Sequence, residues 1–282
     1  MDTQLKHSIA AFLFLILLTS VAFPASAQQT MQPTAIGRAD TVQIVSAQKK
    51  DATTVALQLS NQQQMLLQFY SDDIFRLFYD KTGGPIRYPD AKPQAKILVD
   101  QPQRALSNLE VVSGNNEINI NTISMRIVLD KATARMKIFN NEYNLVVETS
   151  APVQFTKGQV ALKLKEAPGE YFYGGGVQNG RFSHKGKSIA IENQNSWTDG
   201  GVASPTPFYW STNGYGIMWH TFKKGKYDFG ATEKGAVNLS HEEDYLDVFL
   251  MVGKTPVALL NNFYQLTGYP VLVPKFGFYQ GH

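Results

Sequence analysis

A mainly β fold, a large antiparallel sandwich followed by one helix, is predicted by three features of this sequence. Short runs of alternating apolar and polar residues recur from Thr41 to Val252, separated by turn residues. That period of two marks strands with one buried face. Hydrophobic residues make up 43% of the 282 residues and aromatics 12%, enough for a substantial core. No cysteine is present, so the core must hold the fold without disulfides. A thiol nucleophile, Cys-ligated zinc or iron–sulfur, and an N-terminal thioether lipid are excluded as well. The formal charge of +3 comes from scattered Lys and Arg, which gives no reason to expect nucleic acid or an anionic membrane as partner.

Residues 1–27 carry Lys6 near the start, an apolar stretch from Ile9 to Val21, and Pro24-Ala25-Ser26-Ala27. This is the pattern of a secretory signal cut after small residues, too short for a membrane span. The expected mature chain starts at Gln28 and is exported, periplasmic or extracellular.

The sandwich is expected over residues 28–254. Its clearest run places Ile123, Met125, Ile127 and Leu129 on one face, turns at Asp130-Lys131 and returns through Met136 and Ile138. Asn140-Asn141 then leads to Tyr143, Leu145 and Val147. Asn tolerates positive φ, so Asn140-Asn141 is expected to close a tight type I′ hairpin. Further strands are predicted at Val42–Ala47, Thr54–Leu59, Met65–Phe69, Ile74–Tyr79, Val160–Lys165, Ile189–Glu192, Phe208–Ser211, Gly216–His220, Lys226–Phe229 and Tyr245–Met251.

Residues 255–282 change pattern. Thr255 is a good N-cap and Pro256 a favoured first helical residue. Val257, Leu260, Phe263, Tyr264 and Leu266 follow at helical spacing until Gly268. Pro270–Pro274 then leads into Phe276-Gly277-Phe278-Tyr279, which reads as a parallel strand buried on both faces. Such a strand so close to His282 predicts that a second, α/β domain begins here and is cut off.

Two loops carry chemistry. Glu170 to Gly180 is rich in glycine but lacks the third glycine of a dinucleotide loop, since Asn179 stands there. Either it is a bend or bulge, or it lets another surface approach the backbone. Glu192 to Gly201 holds Asn195, Trp197 and Asp199. An indole face packs on the C–H side of a pyranose while Asp and Asn bond its hydroxyls, so this loop is the candidate sugar contact. The alternative is an ordinary surface loop with Trp197 tucked into the sandwich. Phe208-Tyr209-Trp210, Trp219 and Tyr227 read as core, and Glu242-Glu243-Asp244 as a solvated turn. His184, His220, His241 and His282 show no metal-ligand spacing. No Gly-x-Ser-x-Gly elbow exists.

Taken in order, Tyr171–Gln178, His184–Gly186, Asn195–Asp199, Pro207–Ser211, Gly214–Gly216, Tyr227–Gly230, Gly253–Pro256, Leu266–Gly268 and Pro274–Gly277 resemble glycoside hydrolase family 31, the α-glucosidase and α-xylosidase family. The similarity runs from about Thr41 to the last residue. It implies a galactose-mutarotase-like β-sandwich followed by the first helix and strand of a truncated (β/α)₈ barrel. The catalytic aspartates belong to later barrel strands, so it implies no catalytic residue in this chain. No cofactor is expected and no metal requirement is indicated. A sandwich loop reaching over the barrel mouth corresponds to Asn195–Asp199. Asp199 would accept bonds from sugar hydroxyls and Trp197 would wall the subsite. The expected partners are an oligosaccharide or glycoside substrate and the missing barrel. Val177 departs from the acidic residue usual in the family at that place.

Three functions are weighed. The first is the inactive N-terminal portion of an exported α-glycoside hydrolase. The second is a free-standing carbohydrate-binding module. The third, a sugar mutarotase, has only His184 and Glu192 as its acid and base.

Overall fold

The computed structural model describes residues 42–82, 96–274 and 277. The expected signal segment, Phe276, Phe278, Tyr279 and His282 lie outside them. The described residues form a mainly β fold with one helix, as the alternation predicts.

One antiparallel sheet has eight strands. In spatial order these are β1 (Ile44–Lys49), β2 (Thr54–Leu59), β3 (Gln64–Ser71), β4 (Ile74–Asp80), β18 (Tyr245–Val252), β15 (Tyr215–Trp219), β14 (Val202–Ser211) and β12 (Phe172–Gln178). A five-stranded sheet runs β10 (Gln154–Thr156), β11 (Gln159–Lys165), β17 (Ala236–His241), β16 (Gly225–Phe229), β13 (Ser188–Ile191). A second one runs β5 (Glu110–Ser113), β6 (Glu117–Asn121), β7 (Met125–Asp130), β8 (Met136–Asn140), β9 (Leu145–Glu148). A bridge between Thr149 and Leu164 ties the two small sheets together.

The inner faces of all three sheets share one apolar core. The aromatic content is spent here: Trp219, Tyr209, Tyr215 and Tyr227 are fully buried, and Phe172 stacks on Phe229 with ring centroids 4.7 Å apart. Alternation along each strand decides which residues point in. In β18, Leu246, Val248, Leu250 and Val252 enter this core, while Phe249 and Met251 face the other way and join a second cluster.

That second cluster lies under helix α1 (Pro256–Thr267). The hydroxyl of Thr255 accepts from Ala258 N at 3.2 Å, and Gly268 ends the helix at φ 91° with its N–H on Tyr264 O, as expected from the sequence. The buried face differs from the apolar spacing. Val257 is exposed, whereas the polar Asn262 and Gln265 are buried beside Leu259 and Leu266. The reason is hydrogen bonding: Asn262 Nδ2 donates to Val252 O at 3.0 Å, and Gln265 Nε2 to Tyr70 O and Pro102 O. Phe263 stacks on Phe208 at 4.2 Å.

Several local expectations are corrected. Asn140-Asn141 does not form a two-residue turn. The loop runs to Asn144, and the residue with positive φ is Tyr143, at 62°. Tyr143 and Leu145 are exposed, Ile123 sits in a turn rather than on the strand face, and a bulge at Ile138/Phe139 shifts the register. Glu243 is not solvated: it is buried and accepts from Thr221 Oγ1 at 2.8 Å, with Lys223 Nζ at 3.5 Å.

Candidate functional site

The glycine-rich segment is a strand, not a loop. β12 pairs with β14 across two bulges, and its glycines make that pairing possible. A Cβ on Gly174 would lie 2.7 Å from Phe208 O, and one on Gly176 would collide with Ser204 O. Both glycines adopt positive φ. The surface brought close to this backbone is therefore β14.

Immediately beyond β12, Asn179 plugs into the 192–201 loop. Its N–H donates to Gly201 O at 3.0 Å, its carbonyl accepts from Gly200 N at 2.9 Å, and its Nδ2 donates to Ser196 O at 2.7 Å. Arg181 adds two bonds, to Ser188 O and Gly200 O. Within the loop Ser196 N donates to Val202 O, Gly201 N to Thr198 O, and the hydroxyls of Ser196 and Thr198 pair at 3.0 Å. Asn193 Oδ1 accepts from Asn195 N, and Asn195 adopts φ 46°, a left-handed conformation that Asn tolerates.

The three predicted sugar-contact residues thus share one loop. Trp197 is 72% exposed and is not tucked into the sandwich. Asp199 lies at the surface with its carboxylate over Gly180. Asn179 and Arg181, which hold the loop, were not anticipated. The signal available was Asn179 standing where a phosphate loop would have glycine. A groove of about 400 Å³ lies beside the loop, lined by Ile191, Glu192, Asn193, Pro205, Phe222 and Lys224 among others.

The remaining candidates have structural roles. His184 is buried, bonds Gly174 O through Nε2 at 2.8 Å and stacks on Phe229. Burial pushes its pKa down. Glu192 pairs with Lys224. His184 and Glu192 are engaged with different partners and form no acid–base pair. His220 joins Asp247, and His241 joins Tyr227. No group of three His, Asp or Glu suited to a metal occurs among the described residues. No described helix is long and apolar enough to cross a membrane.

A hydrogen-bonded loop with an exposed indole, amides and one carboxylate offers the groups that a hydroxylated ligand requires. It does not supply the two carboxyl groups, about 5–5.5 Å apart, that a retaining glycosidase requires.

An α-xylosidase of Emericella nidulans is 28% identical over 189 residues, 61% of this chain and 24% of that enzyme. α-Glucosidase 2 of Bacillus thermoamyloliquefaciens is 26% identical over 226 residues, 76% of this chain and 28% of its own length. The chain therefore spans about a quarter of these relatives. Among solved structures, the Flavobacterium johnsoniae family 31 dextranase complexed with isomaltotriose superimposes with a TM-score of 0.74 at 19% identity. That match covers 83% of this chain and 29% of the dextranase, and it shows a shared fold. Residues 64–228 match the glycosyl hydrolase 31 N-terminal galactose mutarotase-like domain, and the chain belongs to that family.

Proposed function

We propose that this chain is the N-terminal, sugar-contacting portion of an exported α-glycoside hydrolase, inactive by itself. The observation that carries the proposal is Trp197, held in water on a loop locked by Asn179, with Asp199 beside it. An indole left exposed on a rigid polar loop suits stacking on a sugar ring, with Asn195 and Asp199 available to its hydroxyls. The rest of the subsite, and the catalytic carboxylates, would come from a barrel following α1. The apolar Val271 and Leu272, 86% and 95% exposed just beyond the helix, support that reading, because such side chains favour cover. Export rests on the sequence of residues 1–27 alone.

The isolated chain then binds α-linked oligosaccharides weakly, because half the subsite is missing, and cleaves none. Titration with isomaltotriose, maltotriose and xylose, with assays for α-glucosidase and α-xylosidase activity, tests this. Binding with micromolar affinity would favour the free-standing module instead. Hydrolysis by the chain alone would overturn both readings.

A further inference from the structure

We infer that the outer face of the β5–β9 sheet carries a second saccharide-binding site, for a neutral oligosaccharide chain laid against Tyr143. It goes beyond the proposed function and shares no residue with the 192–201 loop. On that face, strand register aligns Glu110, Asn121 and Arg126 in one row and Val112 with Asn119 in the next. These side chains line a groove of about 410 Å³ together with Asn140, Asn141 and Tyr143.

The groove offers fixed donors and acceptors. Asn119 Oδ1 accepts from Arg126 Nε at 3.0 Å and Nη2 at 2.7 Å, which orients the guanidinium. Asn121 Nδ2 donates to Glu110 Oε2 at 3.3 Å. Asn119 Nδ2, Arg126 Nη1 and Asn121 Oδ1 are left without a partner among the described residues. Glu110 and Arg126 offset each other in charge, so the groove selects neither anion nor cation. Hydroxyls, which donate and accept at once, match this set.

Tyr143 supplies the apolar surface. It is 73% exposed, and its backbone sits at φ 62°, a left-handed conformation unfavourable for a residue with a Cβ. Asn140 holds it there: its carbonyl accepts from Tyr143 N, its Oδ1 from Glu142 N and Asn144 N, and its own N–H bonds Asn144 O, all at 3.0 Å. Lys254 Nζ ties the same loop to the start of α1 through Glu142. A strained, locked backbone that presents a ring to water fits a ligand clamp better than a packing element. A second groove, about 380 Å³ and lined by Asn140, Glu142, Asn144, Asn213 and Lys254 among others, shares Asn140 with the first. Asn140 borders both grooves, and together they leave room for more than one sugar unit.

Native gel electrophoresis of the full chain through dextran, soluble starch and xyloglucan tests this. At least one polysaccharide is expected to retard the wild type. Tyr143→Gly relieves the left-handed backbone while removing the ring, and should raise the dissociation constant at least tenfold. Tyr143→Trp should stay within about threefold of wild type, and Trp197→Ala should remain retarded. No retardation of the wild type by any of the three overturns the inference, as does a Tyr143→Gly protein retarded like wild type. Retardation lost in Trp197→Ala but kept in Tyr143→Gly assigns all binding to the 192–201 loop, which sinks this site and supports the proposed function.

Discussion

The carboxylate of Asp199 occupies the space where a side chain at position 180 would begin: a Cβ built on Gly180 falls on Asp199 Oδ1. Gly180 also sits at φ 68°. Gly180→Ala therefore combines backbone strain with a collision that must move Asp199. We expect a loss of about 2 kcal/mol, read from the urea midpoint. Any sugar affinity of the loop should fall with it. An unchanged midpoint would mean that Asp199 moves aside freely and that this contact does not set the loop.

Trp197 gives the opposite signature. Because its side chain stands in water, Trp197→Ala should change stability by less than about 0.5 kcal/mol while removing the indole from the proposed subsite. Matching urea curves with weakened binding of isomaltotriose and maltotriose are the expected result, any binding that remains belonging to the Tyr143 site.

Much of the architecture was legible in the residues, and the misses have physical causes. β2 runs from Thr54 to Leu59 as the alternation indicates, and α1 follows from Thr255, Pro256 and Gly268. The alternation does not reveal β17 because one of its inward positions is His241, a polar residue buried with bonds to Tyr227 and Lys223. β5, β6 and β10 are three to five residues long, with few apolar positions each. The sugar-contact residues were visible as residue types. Their support by Asn179 and Arg181 was not, because those contacts depend on which backbone atoms the bulges of β12 bring together.

His241 makes stability depend on pH. Burial holds its pKa at about 4, below the value of 6.5 expected in an unfolded chain. The unfolded state therefore binds the extra proton first. The stability from keeping His241 neutral is full above about pH 6.5 and is lost as pH falls toward 4. From pH 7 to 5 the loss from this residue is about 2 kcal/mol, and the lowered pKa of His184 acts in the same direction. Urea denaturation at pH 7 and pH 5 should show this difference, and His241→Gln should reduce it.

Arg76 and Asp247 form a buried pair on the α1 side of the large sheet. Arg76 Nε and Nη2 donate to Asp247 at 2.7 and 2.6 Å, and His220 Nδ1 lies 2.9 Å from the same carboxylate. The adjacent guanidinium and its hydrogen bonds hold the Asp247 carboxyl below the usual range despite burial. Asp247→Ala removes the carboxylate from a buried guanidinium and should cost about 3–5 kcal/mol. Arg76→Met with Asp247→Leu should cost less than Asp247→Ala alone, as judged by melting temperature.

The direct test of the sugar-contacting role is the tryptophan fluorescence of the purified chain during titration with isomaltotriose and maltotriose. Of the three tryptophans, Trp219 is buried, Trp210 is half-buried and Trp197 is exposed, so a sugar stacking on the loop is reported mainly by Trp197. We predict a saturable blue shift at millimolar sugar, absent in Trp197→Phe, with no reducing sugar released. A spectrum unmoved by every sugar, a shift that survives in Trp197→Phe, or glycoside cleavage by the chain alone would contradict the account.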